Sequence, residues 1–328
     1  MNNAKFKAAL LAVLLVGGAP LSVGADDAPT PIFESIAVNY VLVPFVPLDM
    51  RGRPMSNLRA SEVRLLVEGQ PVQTDLFDHS ADAPVSFTIL LDGSGSMGLA
   101  GKLQGARAAL ETLFRQKNPG DDYSLHVFAS GKVTELVPFT PNGRTILKAF
   151  DRVEPFGKTA LYDAVVRIPD RTILGSNGSR AIILLTDGID NASELDRLSL
   201  LRTLEAIDVP VYPIGLASVE SLRPAAGPRA LESRLDLGVL GDLARMSGGR
   251  LAIATEPEEL SDGIEVVLRE LRSQYLVGFA PSGEGNIRYR RIELDIKRPV
   301  SSVRVRSGYR GTDPPPMARR GRSNPAGK

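Results

Sequence analysis

The chain of 328 residues contains no cysteine. That excludes disulfides, thiol catalysis, thiolate metal sites and a cysteine-borne lipid anchor. A protein exported without disulfides must rely on its core, and this length is enough to bury one. Histidine is almost as scarce, represented by His79 and His126 only. A charge excess is missing too: the formal net charge is +1. Without a basic face the chain lacks the electrostatic footprint of a nucleic-acid binder, so no nucleic-acid partner is expected. No apolar run beyond the N-terminus approaches the length of a membrane span.

The N-terminus itself has the build of a secretory signal. Lys5 and Lys7 precede an apolar stretch, Ala8 to Val16, that is broken by Gly17, Gly18 and Pro20. Val23-Gly24-Ala25 offers a small-residue cleavage site, with Asp26-Asp27 after it. The expectation is a signal peptide over 1–25, cleaved after Ala25, and a secreted or periplasmic mature protein with no transmembrane segment. Cleavage takes two lysines and no acid with it, so the mature charge stays near zero.

The full sequence is 43% hydrophobic and 23% charged, the balance of a globular chain. Ile36–Val46, Val63–Val67 and Val72–Phe77 read as short strands separated by turns, an N-terminal β segment over 31–80. From Pro84 strands and helices alternate. Strands are expected at Val85–Leu91, Ser124–Phe128, Val133–Phe139, Ala181–Leu185, Val211–Leu216 and Leu251–Ala254. Helices are expected at Lys102–Gln116, Arg144–Val153, Ala160–Leu174 with a perturbation at Pro169, Glu194–Ile207, Leu237–Met246 and Pro257–Leu271. This alternation over 84–272 implies an α/β fold, a doubly wound and mostly parallel sheet. Ala217–Arg234 does not fit the alternation and reads as an inserted loop. Strand candidates return at Gln274–Phe279, Arg288–Ile296 and Val303–Arg306, a C-terminal β segment over 273–310. Strands from the two flanking segments are expected to pair into one small β unit. Residues 311–328, rich in Pro, Gly and Arg, read as a disordered tail.

Three pieces carry the chemistry. Asp92-Gly93-Ser94-Gly95-Ser96 follows the apolar strand Val85–Leu91. Gly157-Lys158-Thr159 leads into a helix. Thr186-Asp187-Gly188 follows the apolar strand Ala181–Leu185. Open α/β sheets place their sites at such C-terminal strand ends. Two neighbouring strand ends present Asp92 and Asp187 to one ion, and two carboxylates neutralise a divalent charge. Ser94, Ser96 and Thr159 add hydroxyl oxygens without further charge. An all-oxygen set with a position left for a ligand suits Mg2+, with Mn2+ or Ca2+ as the other candidates.

This order, Asp-x-Ser-x-Ser, then Thr, then Thr-Asp-Gly, resembles the metal-ion-dependent adhesion site of the von Willebrand factor type A domains. The resemblance covers roughly 84–272. It implies direct ligation by Ser94 and Ser96, and a direct or water-mediated contact from Thr159. Asp92 and Asp187 would act through bound water, and a carboxylate from a protein partner would be the last ligand. The flanks resemble a bacterial subgroup of secreted proteins with this domain, through Asp49–Pro54, Tyr275–Phe279, Arg290–Glu293 and Val303–Tyr309. The one departure is Lys158, where glycine is usual. Its ammonium either points to solvent, repels the metal or attracts the acidic ligand.

Enzyme readings fail on particular residues. A P-loop needs glycine five residues before Gly157, and Arg152 stands there. A serine hydrolase elbow around Ser96 lacks its first glycine, since Ser94 occupies that place, and no histidine follows Asp187. An aspartyl-phosphate enzyme wants a second carboxylate where Ser94 stands. The expectation is therefore not an enzyme but a metal-dependent protein-binding module. The alternatives are a structural module whose metal is incidental and, further off, a metal-dependent hydrolase. Asp163 reads as a helix-dipole acid or a support for Thr159. Asp190 and Asn191 read as caps of the following helix or buttresses of the metal loop.

Overall fold

The computed structural model describes residues 40–79, 81–187, 190–216, 228–282 and 284–314, with 228–236 described by backbone only. The expected signal peptide over 1–25, the first part of the expected insertion and most of the expected C-terminal tail lie outside these residues.

The centre is a six-stranded sheet. Its strands are β5 (Val85–Asp92), β6 (Asp122–Ala129), β7 (Lys132–Thr140), β8 (Ser179–Thr186), β9 (Val211–Leu216) and β10 (Ala252–Ala254). They lie in the order β10-β9-β8-β5-β6-β7. All neighbours run parallel except β6 and β7, a hairpin that closes one edge. The expected doubly wound, mostly parallel α/β architecture is what the chain adopts.

Strand β5 is central and buried at every position. Side chains alternate across a strand, so a doubly covered strand must feed two cores. Phe87, Ile89 and Leu91 enter one core. It also takes in Ala106, Leu110 and Leu113 of α1 (Lys102–Arg115), Ile146 and Phe150 of α2 (Gly143–Phe150), and Ile264 and Val267 of α7 (Leu260–Leu271). Leu90 enters the other core, with Ile182 and Leu184 of β8. The helices on that side are α3 (Leu161–Arg167), α5 (Arg197–Leu204) and α6 (Pro228–Ser247), through Leu161, Val165, Leu200, Leu204, Leu240 and Leu243.

Several expected boundaries move for identifiable reasons. The long helix expected over Ala160–Leu174 is two short ones, α3 and α4 (Pro169–Thr172). Pro169 starts the second at a position where its missing N–H costs nothing. The helix expected from Glu194 begins at Arg197, because the Asp196 carboxylate accepts the Ser199 N–H at 2.7 Å and caps it there. The end of the expected insertion is helical: α6 starts at Pro228, another first-turn proline. The expected strand Val72–Phe77 is split between β3 (Gln70–Val72) and β4 (Leu76–His79), which belong to different sheets.

The flanking strands are β1 (Val41–Leu48), β2 (Val63–Val67), β11 (Tyr275–Phe279), β12 (Arg288–Ile296), β13 (Ser302–Val305) and β14 (Gly308–Gly311). With β3 and β4 they make two four-stranded sheets, β13-β1-β11-β4 and β14-β12-β2-β3. The expected pairing of N- and C-terminal segments is present in both: β1 pairs with β11 and β13, and β2 with β12. Phe45, Leu65, Val67, Tyr275, Val277, Phe279 and Ile292 form the core between them. The Tyr275 hydroxyl accepts the Leu58 N–H at 2.9 Å, so this polar group in the core has a partner.

Candidate metal centre

Strands β5 and β8 are in register from Val85↔Ser179 to Leu91↔Leu185. Their ends therefore deliver Asp92 and Thr186 side by side, with Asp187 one residue further on. The Thr186 hydroxyl donates to Asp92 Oδ2 at 2.7 Å. The Ser94 N–H donates to Asp92 Oδ1 at 2.9 Å and folds the loop back over the strand end. Ser94 Oγ and Ser96 Oγ lie 3.0 Å apart, so one point receives both hydroxyls. Asp92 and Ser94 are buried, and Ser96 is partly exposed.

Thr159 reaches the same loop through backbone. Gly95 N–H donates to Gly157 O at 3.1 Å, and Phe156 N–H to Gly93 O at 2.8 Å. These bonds zip residues 93–95 to 156–157. Gly93 is required here: a Cβ would stand 2.5 Å from Val127 Cγ1. Gly157 is required twice over, by φ of +81° and by Ser130 Oγ, which a Cβ would meet at 2.2 Å. Thr159 is then held from the far side. Its N–H donates to Asn191 Oδ1 at 2.9 Å, and its carbonyl accepts from Asn191 and Ala192 N–H at 2.9 and 3.0 Å.

Asp190 and Asn191 thus brace the loop before α3 and do not cap the following helix. Asp190 Oδ1 accepts the Leu161 N–H at 2.8 Å, doing for α3 what an N-cap would do. Asp163 returns the bond from inside α3. Its carboxylate accepts the Glu194 and Leu195 N–H groups at 3.0 and 3.2 Å. The reciprocal bonding of 159–163 with 190–195 fixes the Thr159 backbone. Lys158 is exposed and enters this arrangement by its backbone, with its N–H on Ser130 Oγ at 3.2 Å.

The electrostatics are unequal. Burial pushes the Asp92 carboxyl up to about 6, and the nearby Asp187 charge adds to that. The bonds from Thr186 and Ser94 pull the other way. Asp187 has a cationic neighbour that the sequence pattern does not single out: Lys102 Nζ lies 2.8 Å from its Oδ2. Asp187 Oδ1 is buried without a hydrogen-bond partner. A buried, unpaired carboxylate oxygen is costly, and a bound cation is one of the few things that justifies it. The donor set, two carboxylates and three hydroxyls, is the hard-oxygen kind that Mg2+ takes. Among the described residues no three His, Asp or Glu side chains converge as a zinc site would need.

Neither histidine can serve these serines as a base. His126 lies in β6, paired with Leu90, with its Nε2 unpartnered. His79 belongs to β4 in the flanking unit and stacks on Tyr275 at 4.1 Å.

Of the five residues singled out in the sequence, the structure links Asp92, Ser94 and Ser96 by direct hydrogen bonds. It brings Thr159 alongside through backbone and sets Asp187 beside Thr186. Sequence reasoning quoted Thr186 without giving it a role and missed Lys102. Thr186 had a signal, since it adjoins Asp187 at a strand end. Lys102 had none, because only the folded chain brings it to Asp187.

Residues 87–189 match the family model described as the von Willebrand factor type A domain. Among solved structures, the chain is similar to an aerotolerance-related membrane protein from Bacteroides fragilis. Identity is 20% and the TM-score 0.44, with 57% of this chain and 98% of that one covered. It is similar to BatB from Bacteroides thetaiotaomicron at 22% identity and a TM-score of 0.41, over 56% and 98% of the two chains. A von Willebrand factor type A protein from Catenulispora acidiphila gives 13% identity and a TM-score of 0.47, over 84% and 74%. Comparison with curated proteins gives no match. The family match falls on the central sheet, so this part of the chain, over residues 87–189, is a von Willebrand factor type A domain.

Proposed function

We propose that the chain is a non-catalytic, Mg2+-dependent protein-binding module that works outside the cytoplasm. The observation that carries this reading is the buried, unpartnered Oδ1 of Asp187 beside a second buried carboxylate and two converging hydroxyls. Asp92, Ser94, Ser96, Thr159 and Asp187 would hold the ion. When bound, the ion supplies a coordination position that an acidic side chain of the partner fills. The chain's own residues orient that position: Asp92 through Thr186, the serines through each other, and Thr159 through Asn191. Among the described residues neither histidine stands at these hydroxyls, and the two carboxylates are tied to Thr186, Ser94 and Lys102, which supports binding over chemistry. The extracytoplasmic placement rests on the N-terminal signal pattern.

Calorimetry with MgCl2 on the wild type and on Asp92→Ala tests the site. The wild type should give a single saturable binding event and the variant none; equal affinity in both would sink the assignment. Capture of a partner from envelope extract should then be lost on adding a chelator and lost with Asp92→Ala. Chelator-insensitive capture would favour a module whose metal is incidental.

A further inference from the structure

Lys102 is the first residue of α1, and three features set it apart from an incidental surface lysine. A cation at a helix N-terminus opposes the helix dipole, and the first turn of α1 carries no acid to offset it. The turn that delivers it holds two consecutive left-handed residues, Ala100 at φ 52° and Gly101 at φ 73°. For alanine that conformation is strained. The side chain then spans to another element, with Nζ 2.8 Å from Asp187 Oδ2 and side-chain exposures of 21% and 5%. The chain thus bears two local costs to place an ammonium on one oxygen of Asp187, while the other oxygen is buried and unpartnered.

Resting on the metal-binding reading above, we propose that Lys102 is an internal counter-cation that competes with the divalent ion for Asp187. It thereby sets the affinity of the site. A divalent ion drawing on the Asp187 carboxylate meets the ammonium already there. Either Lys102 swings towards solvent and gives up a charge-assisted hydrogen bond, or it stays and repels the ion. Both lower the ion's affinity. The benefit falls on the protein when the ion is scarce. Asp92 and Asp187 are two carboxylates at neighbouring strand ends, and a buried pair of like charges without a cation is strongly unfavourable. Lys102 offsets that.

The sign of one measurement separates a competitor from a lysine that merely positions Asp187. Magnesium is titrated into the purified wild type, Lys102→Met and Lys102→Arg by calorimetry. Thermal unfolding is followed for each in chelator and in excess magnesium. Lys102→Met should bind magnesium roughly tenfold or more tightly than wild type. It should unfold at a lower temperature in chelator and gain more from magnesium. Lys102→Arg should resemble wild type. Should the methionine variant not fold, Lys102→Gln, which keeps a polar tip, takes its place. If the wild type binds magnesium and the neutral variants bind equally or more weakly, the competition is overturned and the metal reading stands. If none of the proteins binds magnesium, the metal reading falls and this inference with it.

Discussion

Strand β5 meets a buried carboxylate at each of its ends, and the two are treated differently. At its start Asp121, with a fully buried side chain, accepts N–H groups from Val85 at 2.9 Å and Asn118 at 2.8 Å. It also receives both ends of the Arg272 guanidinium, which lies over the Phe87 ring. Every oxygen there has a partner. At the other end Asp92 has one hydroxyl and one amide and no cation in hydrogen-bond contact, while Asp187 shares one oxygen with a lysine and leaves the other unpaired. One strand therefore shows what a carboxylate looks like when it serves the fold and when it is held ready for something else. Burial does not separate the two ends; what does is the unpaired Oδ1 of Asp187, since both oxygens of Asp121 and both of Asp92 have partners.

Substitutions can break or sharpen this contrast. The largest effect is expected at the satisfied end. Asp121→Ala leaves Arg272 without its partner and should cost about 3–5 kcal/mol in urea unfolding. Magnesium affinity should stay within about twofold, since the residue lies at the opposite end of the sheet. A parallel loss of magnesium binding would show that the ends are coupled and the contrast false. Asp92→Asn should do the reverse. Magnesium binding disappears, while stability in chelator changes by no more than about 1 kcal/mol, because the fold gives this carboxylate little net support.

His126 tests the rest of the polar interior. Burial holds its imidazole below the usual histidine range. Below about pH 6.5 the unfolded chain takes up a proton that the folded chain refuses. The histidine's contribution is thus fully present above that value and is lost as pH falls through it towards the depressed folded value. Unfolding free energies at stepped pH should fall less steeply for His126→Gln than for wild type. Parallel curves would mean that His126 takes up its proton equally in the folded and the unfolded chain. The smallest effect is expected at Lys158. Its exposed ammonium is screened by solvent, so Lys158→Ala should shift magnesium affinity by about twofold or less. A larger change, in either direction, would place that side chain at the ion.

The alternation of apolar strands and amphipathic helices made the central sheet readable, because β5 and β8 are mostly apolar and end on polar residues. The flanking pairing was readable as well, in coarser form. The splitting of Val72–Phe77 was not, since both ends of that segment face the same core, Val72 from β3 and Phe77 from β4. No local pattern marks a change of sheet. At the site, spacing singled out hydroxyls and carboxylates that follow strands closely. It offered Asn191 as a buttress without naming Thr159 as what it holds, and it was silent on the contact of Lys102 with Asp187.

The flanking sheets also decide how the chain carries tension. Strand β4 leads into the α/β domain and β11 leads out of it, and the two are paired from Tyr275↔His79 to Gly278↔Leu76. Entry and exit are thus laced together just outside the domain. A pull applied at Val41 and Gly311 runs through the β1–β11 and β2–β12 ladders and is relayed across the lacing, so the strand ends bearing Asp92 and Asp187 carry no load until it opens. In single-molecule extension, the first rupture should release flanking strands only, and a first step long enough to include the α/β domain would refute this load path.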